Sequence, residues 1–389
     1  MPADVLRIAT ARISCIDFGM VEISQGIEVI RTSAHGMVWI AGGIFRMGSD
    51  SHYVEESPAH NVRVDGYFMD EAPVTNRQFA QFVQATGYVT CAEVSPNEDQ
   101  YPGADPSMLR PGSLVFTPPA IHVDLSDCLS WWTYVFGADW RHPLGPGSNL
   151  DGLEDHPVVH VALSDAQAYA NWVGKQLPTE AEWEFAAKAG GDAEYAWGSE
   201  LAPGGVHQAN TWQGQFPVQN LCEDGYARTS PVFAFPPNSF GLRDMIGNVW
   251  EWTSDYWMDR HSGGAHKSCC IPSNPRNFDA QASIDIERPQ IPIPRMVLKG
   301  GSHLCSPNYC RRYRPAARQS SLRSGGGFAS CSSRWGMQPT RAAFEFRPST
   351  PWPCGVWRGR ESRFQETACK PCFLISPLAW QRILRSPRG

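Results

Sequence analysis

A long stretch without helical or strand periodicity, roughly residues 91–155, most constrains what this chain can fold into. It is dense in proline, glycine and tryptophan, and a loop of this length inside a compact domain is usually functional or wrapped over the surface. The whole chain carries 35 glycines, 32 prolines and 15 tryptophans in 389 residues. This composition predicts short strands and turns pinned by aromatic side chains, and it excludes a helical bundle.

Short regular elements flank that stretch. Residues 37–47, MVWIAGGIFRM, are typical of two short strands around a glycine turn, which predicts an opening hairpin. Three capping boxes, in which side chains satisfy free backbone amides, mark predicted helix starts. The pairs are Thr75 with Gln78, Ser164 with Gln167, and Thr179 with Glu182. Apolar residues recur at helical spacing after each start, and no longer repeat is present, so we expect one α+β domain.

Charge and hydropathy exclude some partners. The formal net charge is -6 and no block of lysines and arginines interrupts the first 300 residues, which argues against nucleic-acid binding. No run of 18 apolar residues occurs, which predicts that no segment spans a membrane. Acidic residues interrupt residues 1–36, which is atypical of a secretory signal peptide. These are Asp4, Asp17, Glu22 and Glu28. We therefore expect a cytoplasmic protein without nucleic-acid or membrane partners.

The composition changes abruptly after about Ser320. Residues 321–389 are rich in arginine, serine, proline, tryptophan and cysteine, and most of this segment lacks helical or strand periodicity. A disordered or adventitious tail and a frame-shifted end of the reading frame are both favoured over a folded second domain. We accordingly divide the chain into an N-terminal extension (1–36), a main domain (37–320) and an aberrant or disordered C-terminal tail (321–389).

Cys305 and Cys310 carry a chemical signal. They lie in KGGSHLCSPNYCRRYRPAAR, where Gly300 and Gly301 free the backbone and Pro307 bends it, so that a turn can bring both sulfurs together. Three basic residues follow: Arg311, Arg312 and Arg314. Their charge favours the thiolate, and two thiolates without a nearby histidine or carboxylate suit Cu(I) better than zinc. A local disulfide and two unconnected buried thiols stay open as alternatives, because C-x4-C is not a specific pattern.

The sequence around these cysteines resembles the formylglycine-generating enzymes, the sulfatase-modifying factors. Similar blocks are MVWIAGGIFRMGS, EAPVTNRQFAQFV, GADWRHPLGP, DHPVVHVALSDAQAYANWVGKQLPTEAEWEFAAKAG, ANTWQGQFPVQN, GNVWEWTSD and GGSHLCSPNYCRRYRPAAR. Together they extend over residues 37–320, about three quarters of the chain. The resemblance fades from Ser320 onward, where the chain continues SSLRSGGGFAS.

The resemblance implies a fold, a metal and a reaction. The fold is the sulfatase-modifying variant of the C-type-lectin-like fold, an irregular α+β domain with low regular secondary structure. Cys305 and Cys310 match the family's Cu(I) ligands in the GGS-x-x-C-x4-C motif, and Ser302 matches its active-site serine. The implied substrate is a cysteine in the C-x-P-x-R motif of an unfolded sulfatase. That cysteine would join the pair on copper and be oxidised by molecular oxygen, with a reducing thiol, through a thioaldehyde to Cα-formylglycine.

Calcium is the second metal that the resemblance implies. One ligand set is Asn210 and Asp224 with the backbone carbonyls of Thr211 and Tyr226. The other is Asp244 and Glu251 with the carbonyls of Gly247 and Val249. Mixed side-chain and backbone oxygens are what Ca²⁺ prefers. Without the resemblance these residues are typical turn formers.

Trp250 is the substrate-binding residue that the resemblance implies, as part of the peptide groove. The alternation of Trp250, Glu251 and Trp252 predicts a strand with one buried face, so core packing is the alternative role for this tryptophan.

Two other functions stay open. An iron-dependent sulfoxide synthase or hydroxylase of the same superfamily would need a histidine–carboxylate metal set, but the expected helical domain with H-x3-H-x-E is not found in the sequence. A non-catalytic binding or scaffold domain would be marked by loss of the two cysteines, which are present. The sequence therefore favours an oxidoreductase.

Overall fold

The computed structural model describes residues 36–96, 105–261, 271–287, 292–322, 331–332 and 336–337. Short helices and strands alternate there with long irregular segments, which confirms the predicted irregular α+β fold. The elements are β1 (Met37–Ile40), β2 (Gly43–Met47), β3 (His60–Val64), β4 (Tyr67–Asp70), α1 (Asn76–Thr86), β5 (Gly112–Phe116), β6 (Trp132–Phe136), α2 (Leu163–Trp172), α3 (Glu180–Lys188), β7 (Trp250–Tyr256), β8 (Arg295–Lys299), β9 (Arg318–Leu322), β10 (Cys331–Ser332) and β11 (Gly336–Met337).

Strands β1 to β4 form one long antiparallel ribbon. β1 pairs with β4, and β2 pairs with β3, with Met37 opposite Asp70 and Gly43 opposite Val64. The register is the same on both sides of the break, so residues 37–47 act as one kinked strand, and the predicted hairpin within them is wrong. Gly42 has a φ of 72°, and a Cβ there would lie 2.6 Å from the Val64 carbonyl oxygen. The glycine therefore permits close approach of the opposite strand instead of making a hairpin turn.

The helix starts follow capping chemistry. Thr75 and Thr179 cap α1 and α3 as predicted, and each side chain accepts the backbone N–H three residues later. The predicted Ser164–Gln167 box is wrong, because α2 begins one residue before Ser164. There the Asp165 carboxylate accepts the backbone N–H of Ala162 at 2.8 Å. No helix in the described ranges is long and apolar enough to span a bilayer.

A second sheet, ordered β10-β7-β8-β9, presents the connection that carries the two cysteines. β8 is antiparallel to both β7 and β9, with Arg295 opposite Leu322 and Lys299 opposite Arg318 at the two ends of the β8–β9 pair. The chain leaves β8 after Lys299 and returns at Arg318. Residues 300–317 therefore form an irregular connection held at both ends by neighbouring strands, and we call them the cysteine loop.

The boundary predicted at Ser320 falls inside β9, which continues to Leu322. Beyond it, β10 pairs with β7 and β11 pairs with β4. All described residues belong to one compact unit, Ser33–Gly389, and the other unit, Met1–Thr32, lies outside the described residues. Most of the predicted C-terminal tail lies outside them as well.

Tryptophans pin the core behind the cysteine loop, as the composition predicts. Trp183, Trp250 and Trp252 are at most 1% exposed. The Trp183 indole donates to the Glu251 carboxylate at 2.7 Å, and the Trp252 indole donates to the Val161 carbonyl at 3.2 Å. These bonds satisfy indole N–H groups that would otherwise be costly to bury, and the Trp183–Glu251 bond fixes α3 against β7.

Candidate active site

The cysteine loop brings two free thiols together in the protein interior. The sulfur atoms of Cys305 and Cys310 lie 3.3 Å apart, and the two residues are 1% and 2% exposed. Gly301 starts the loop with a φ of 73°, and a Cβ there would lie 2.9 Å from the Arg312 carbonyl oxygen. A side chain at Gly301 would thus push the two ends of the loop apart. The sequence also allowed a local disulfide or two unconnected buried thiols. The two adjacent free thiols differ from both alternatives.

The two thiols have opposite protonation tendencies. The pKa of Cys310 is lowered, first because the Cys305 thiol donates a hydrogen bond to it and further because the Arg312 guanidinium lies beside it, and these effects outweigh burial. The pKa of Cys305 is raised well above its usual range by burial and by its hydrogen bond to Cys310. One proton is therefore shared between the sulfurs, and a cation bound to both would favour its release.

The three predicted arginines have different roles. Arg312 is buried, pairs with Glu55 at 2.5 Å and is the arginine whose charge acts on Cys310. Arg314 forms a buried two-bond pair with Glu56, at 2.9 and 2.5 Å. Arg311 is half-exposed. The expectation that basic neighbours favour the thiolate thus holds for Arg312, whereas Arg314 mainly secures the far end of the loop.

Ser302 lies directly beside Cys305. Its backbone N–H donates to the Cys305 sulfur at 3.4 Å, and its carbonyl accepts the Cys305 N–H at 2.9 Å. Its hydroxyl accepts the backbone N–H of Leu304 at 3.3 Å, and the whole residue is buried. Ser302 therefore fixes the position of one sulfur through its backbone, as a tight turn requires.

Trp250 is only 1% exposed and packs in the core at the start of β7. This burial agrees with the core-packing role that the strand pattern predicts. Its role in substrate binding stays a prediction.

The first predicted calcium set is gathered around Asn210. The Asn210 side chain is fully buried, its amide donates to the Arg228 carbonyl, and its Oδ1 has no hydrogen-bond partner among the residues that the structure describes. The Asp224 carboxylate accepts the backbone N–H groups of Thr211 at 3.2 Å and Tyr226 at 3.0 Å. A buried side-chain oxygen without a donor among the described residues is a group that a cation would satisfy.

The Gln213 side-chain amide joins two of these predicted ligands. Its Nε2 donates to Asp224 Oδ2 at 2.8 Å and also to the Thr211 carbonyl. Both oxygens therefore lie within hydrogen-bonding distance of one shared donor.

The second predicted calcium set lies on the turn that leads into β7. Asp244 and Glu251 are both buried, and the turn between them includes Gly247, with a φ of 73°. The Gly247 N–H donates to the Gly300 carbonyl at 2.9 Å. The turn therefore lies directly against the start of the cysteine loop. The two carboxylates and the predicted backbone carbonyls would together supply only oxygen ligands, and this ligand set stays a prediction.

A third polar cluster lies below the cysteine loop and is an ion-pair network. Glu180, Glu184 and His261 are buried, with ligand atoms within 4.8 Å of one another. Lys299 lies 2.9 Å from Glu184, and Arg318 lies 2.8 Å from Glu180. Because cations of the protein already neutralise both carboxylates, this cluster does not suit a metal ion. Within the described ranges it is the only histidine–carboxylate group of this kind, so the iron-dependent alternative gains no support.

No sequence pattern marks Tyr53, Glu55 and Glu56 as neighbours of the cysteine loop. The Tyr53 hydroxyl accepts the Arg311 N–H at 3.1 Å, and the Arg312 guanidinium lies 3.9 Å from the centre of the Tyr53 ring. Such contacts join positions 258 residues apart. They depend on the fold and could be found only once the fold was known.

Comparisons with known proteins agree with the sequence blocks. Residues 27–327 match the family described as "Sulfatase-modifying factor enzyme 1-like domain". The chain is 50% identical over 283 residues to the formylglycine-generating enzyme of Mycobacterium tuberculosis, which covers 72% of this chain and 91% of that protein. It is 45% identical over 291 residues to that of Thermomonospora curvata, covering 73% and 88% of the two chains.

A solved structure supports the fold. PvdO from Pseudomonas aeruginosa superposes with a TM-score of 0.52 at 22% identity, over 78% of this chain and 94% of that one. At this identity the likeness speaks for the fold alone. Family match, identity and architecture together show that the chain belongs to the sulfatase-modifying factor family, whose curated members include the formylglycine-generating enzymes.

Proposed function

We propose that this chain is an oxidoreductase that converts a cysteine of an unfolded sulfatase to Cα-formylglycine with Cu(I) and molecular oxygen. The observation that carries the proposal is the pair of free, buried sulfurs of Cys305 and Cys310, 3.3 Å apart. Relatives that match most of the chain are named formylglycine-generating enzymes, which supports the same reaction.

The cysteine pair suits Cu(I). Two thiolates are soft ligands, and the histidine–carboxylate group that the described residues contain, Glu180, Glu184 and His261, is already neutralised by Lys299 and Arg318. Copper bound there would supply the one-electron oxygen chemistry that amino-acid side chains lack.

The surrounding residues prepare the two sulfurs for this role. Two thiolates that bind one Cu(I) ion would carry a net charge of about -1, and the Arg312 guanidinium beside them offsets it. The pairing of Arg312 with Glu55 holds the guanidinium in place. The Ser302 N–H orients the Cys305 sulfur. Burial of both cysteines excludes water, which protects the thiolates from unproductive oxidation and strengthens these interactions.

The proposed substrate is an extended C-x-P-x-R segment, recognised through its backbone and a few side chains. Oxidation of its cysteine to the thioaldehyde removes two electrons, and hydrolysis to the aldehyde releases hydrogen sulfide without further oxidation. Dioxygen accepts four electrons on reduction to water, so a reducing thiol supplies the other two. A cytoplasmic setting fits this requirement, because that compartment keeps thiols reduced.

Ca²⁺ is the proposed structural metal at both oxygen sets. At the first, the Asp224 carboxylate and the buried Asn210 Oδ1, which has no hydrogen-bond partner within the described ranges, would supply ligands. At the second, Asp244 and Glu251 bring two carboxylates into the interior. Oxygen ligands of these kinds are the preferred donors for Ca²⁺.

The test is to load the purified protein with Cu(I), add oxygen, a reducing thiol and a C-x-P-x-R peptide, and follow the peptide by mass spectrometry. We expect conversion of cysteine to aldehyde, loss of conversion in Cys305→Ala and Cys310→Ala, and full conversion in Cys91→Ala. Cys91 is the matched control because it is also a free cysteine but is exposed and lies outside the cysteine loop.

Three outcomes would reject the proposal. Failure to bind Cu(I) would favour the scaffold function. Stoichiometric copper binding without conversion would indicate an incomplete substrate pocket. Conversion that requires iron and persists in both cysteine variants would favour the iron-dependent alternative.

A further inference from the structure

One short segment, residues 210–216, contacts the cysteine loop between and beside its two thiols. The Trp212 N–H donates to the Cys305 carbonyl at 3.0 Å. Asn308, which lies between the cysteines in sequence, accepts the Phe216 N–H at 3.3 Å and donates to the Phe216 carbonyl at 3.1 Å. The neighbouring Tyr309 ring stacks on the Phe216 ring, with centroids 4.5 Å apart. The loop is therefore docked on residues 212–216 by backbone, side-chain and aromatic contacts.

The same segment begins at the first cation site. Asn210 and Thr211 are two of its four proposed ligands, and Thr211 is bonded directly to Trp212. The Asn210 carbonyl also accepts the Asn248 N–H at 2.8 Å, whereas the Asn210 Oδ1 has no hydrogen-bond partner among the described residues. Binding of a cation there would order the residue pair that leads into the docking contacts.

We propose that Asn308 is a positioning residue for the two thiols and that it couples the cation site at Asn210 and Asp224 to Cu(I) affinity. This inference rests on the proposed function, because it takes both metals from it. Asn308 is suited to the role because one side chain donates to and accepts from the same residue, Phe216, which fixes both distance and orientation. The Ser306 hydroxyl also donates to Asn308 Oδ1, which holds the amide in place.

The coupling follows from pre-organisation. Cu(I) needs both sulfurs at once, so any freedom that the loop has before binding must be lost on binding and lowers the affinity. Contacts between residues 212–216 and the loop remove that freedom in advance. A cation that orders residues 210–211 strengthens the same contacts, and by linkage copper must strengthen cation binding by the same factor.

The experiment measures Cu(I) affinity by anaerobic competition with a chromophoric Cu(I) chelator, in excess Ca²⁺ and in EGTA. The proteins are the wild type, Asn308→Ala and the matched control Asn277→Ala. Asn277 makes a similar pair of backbone bonds, donating to the Tyr256 carbonyl and accepting the Asp279 N–H, but belongs to neither proposed metal site. Thermal unfolding of each protein monitors the loss of stability that both substitutions cause.

We expect EGTA to weaken Cu(I) binding about tenfold in the wild type and in Asn277→Ala. Asn308→Ala should bind Cu(I) about tenfold more weakly in Ca²⁺, because it lacks two neutral hydrogen bonds, and EGTA should weaken its binding by less than it weakens that of the wild type, since the Trp212 and Asn248 contacts remain. If Asn308→Ala does not fold, Asn210→Ala provides the second test. It should bind Cu(I) in excess Ca²⁺ more weakly than the wild type, and EGTA should weaken its binding by less than it weakens that of the wild type.

Several results would overturn the inference. Wild-type affinity in Asn308→Ala would remove the positioning role, and an undiminished response of that variant to EGTA would remove the coupling. Equal Cu(I) affinity of the wild type in Ca²⁺ and in EGTA would also remove the coupling. If the wild type does not bind Cu(I) through its cysteines, the proposed function and this inference both fail. If it does bind Cu(I) and one of the results above is found, only this inference fails, so the two failures are distinguishable.

Discussion

Replacing Lys299 by methionine should destabilise the protein by about 3–5 kcal/mol, the usual cost of removing one partner of a buried ion pair. Lys299 ends β8, is fully buried and lies 2.9 Å from the Glu184 carboxylate and 3.8 Å from that of Glu180. Burial alone would raise the pKa of Glu184, but Lys299, followed by Lys188 and His261, lowers it on balance. The lysine therefore keeps a buried carboxylate charged.

The magnitude follows from what Glu184 retains after the substitution. Lys188 is 3.4 Å away, and the Gly48 N–H donates at 2.7 Å, but the shortest ion pair is gone. Methionine preserves most of the aliphatic stem of lysine, so the loss is mainly electrostatic. Glu184→Gln removes the charge that Lys299 neutralises. The double variant should therefore be more stable than the sum of the single effects predicts, by about 2 kcal/mol.

Urea unfolding of the wild type, both single variants and the double variant at neutral pH measures this coupling. The exposed pair Arg46–Asp50, at 3.0 Å with both side chains about half exposed, provides a control. Arg46→Met should cost less than about 1 kcal/mol because solvent screens an exposed pair. A Lys299→Met cost that is equally small, or strict additivity of the two substitutions, would refute the electrostatic account of this network.

Three further predictions concern pH, backbone conformation and metal. Burial, with help from the Arg318 charge, lowers the pKa of His261 to about 4, so its contribution to stability is complete above pH 6.5 and is lost as the pH falls toward 4. Between pH 8 and pH 5 the free energy of unfolding of His261→Phe should therefore fall by about 2 kcal/mol less than that of the wild type, as measured by urea unfolding. Gly301→Ala should lower the free energy of unfolding by at least about 2 kcal/mol and weaken Cu(I) binding, because the positive φ of Gly301 and the nearby Arg312 backbone leave no room for a Cβ. A variant as thermally stable as the wild type would contradict this prediction. Chelation of Ca²⁺ should lower the Tm of the wild type by more than that of Asp224→Ala, which keeps the second oxygen set at Asp244 and Glu251, as scanning calorimetry would show.

The parts of the site that sequence can predict are those fixed by local chemistry. Cys305 and Cys310 are five positions apart in one loop, and the glycines before them mark the turn that brings the sulfurs together. Thr75 and Thr179 identify their helices because a capping box closes within four residues. In each case the interacting groups are near one another in the chain.

The prediction fails where distant segments decide between local options. The break at Gly42 resembles a hairpin turn, but pairing with residues 60–70 keeps both halves in one ribbon. Arg312 and Arg314 are indistinguishable in sequence, and only the fold shows that one faces Cys310 and the other faces Glu56. The docking role of Asn308 has no local signature either, since its partner, Phe216, is 92 positions away.

The irregular backbone of the site has a physical consequence for function. The cysteine loop has no strand ladder of its own, so its shape depends on hydrogen bonds that it donates to Tyr53 and Asn248 and accepts from Trp212. The Asn248 carbonyl accepts the His303 N–H at 3.0 Å, while its N–H binds the Asn210 carbonyl, so one residue links the cation-binding segment to the loop. Loops held this way open locally at a lower free energy than the whole domain unfolds. The two thiols should therefore lose their fixed positions before the domain unfolds. Substitutions that weaken the hydrogen bonds of Tyr53, Trp212 or Asn248 to the loop should lower Cu(I) affinity while the domain is still folded.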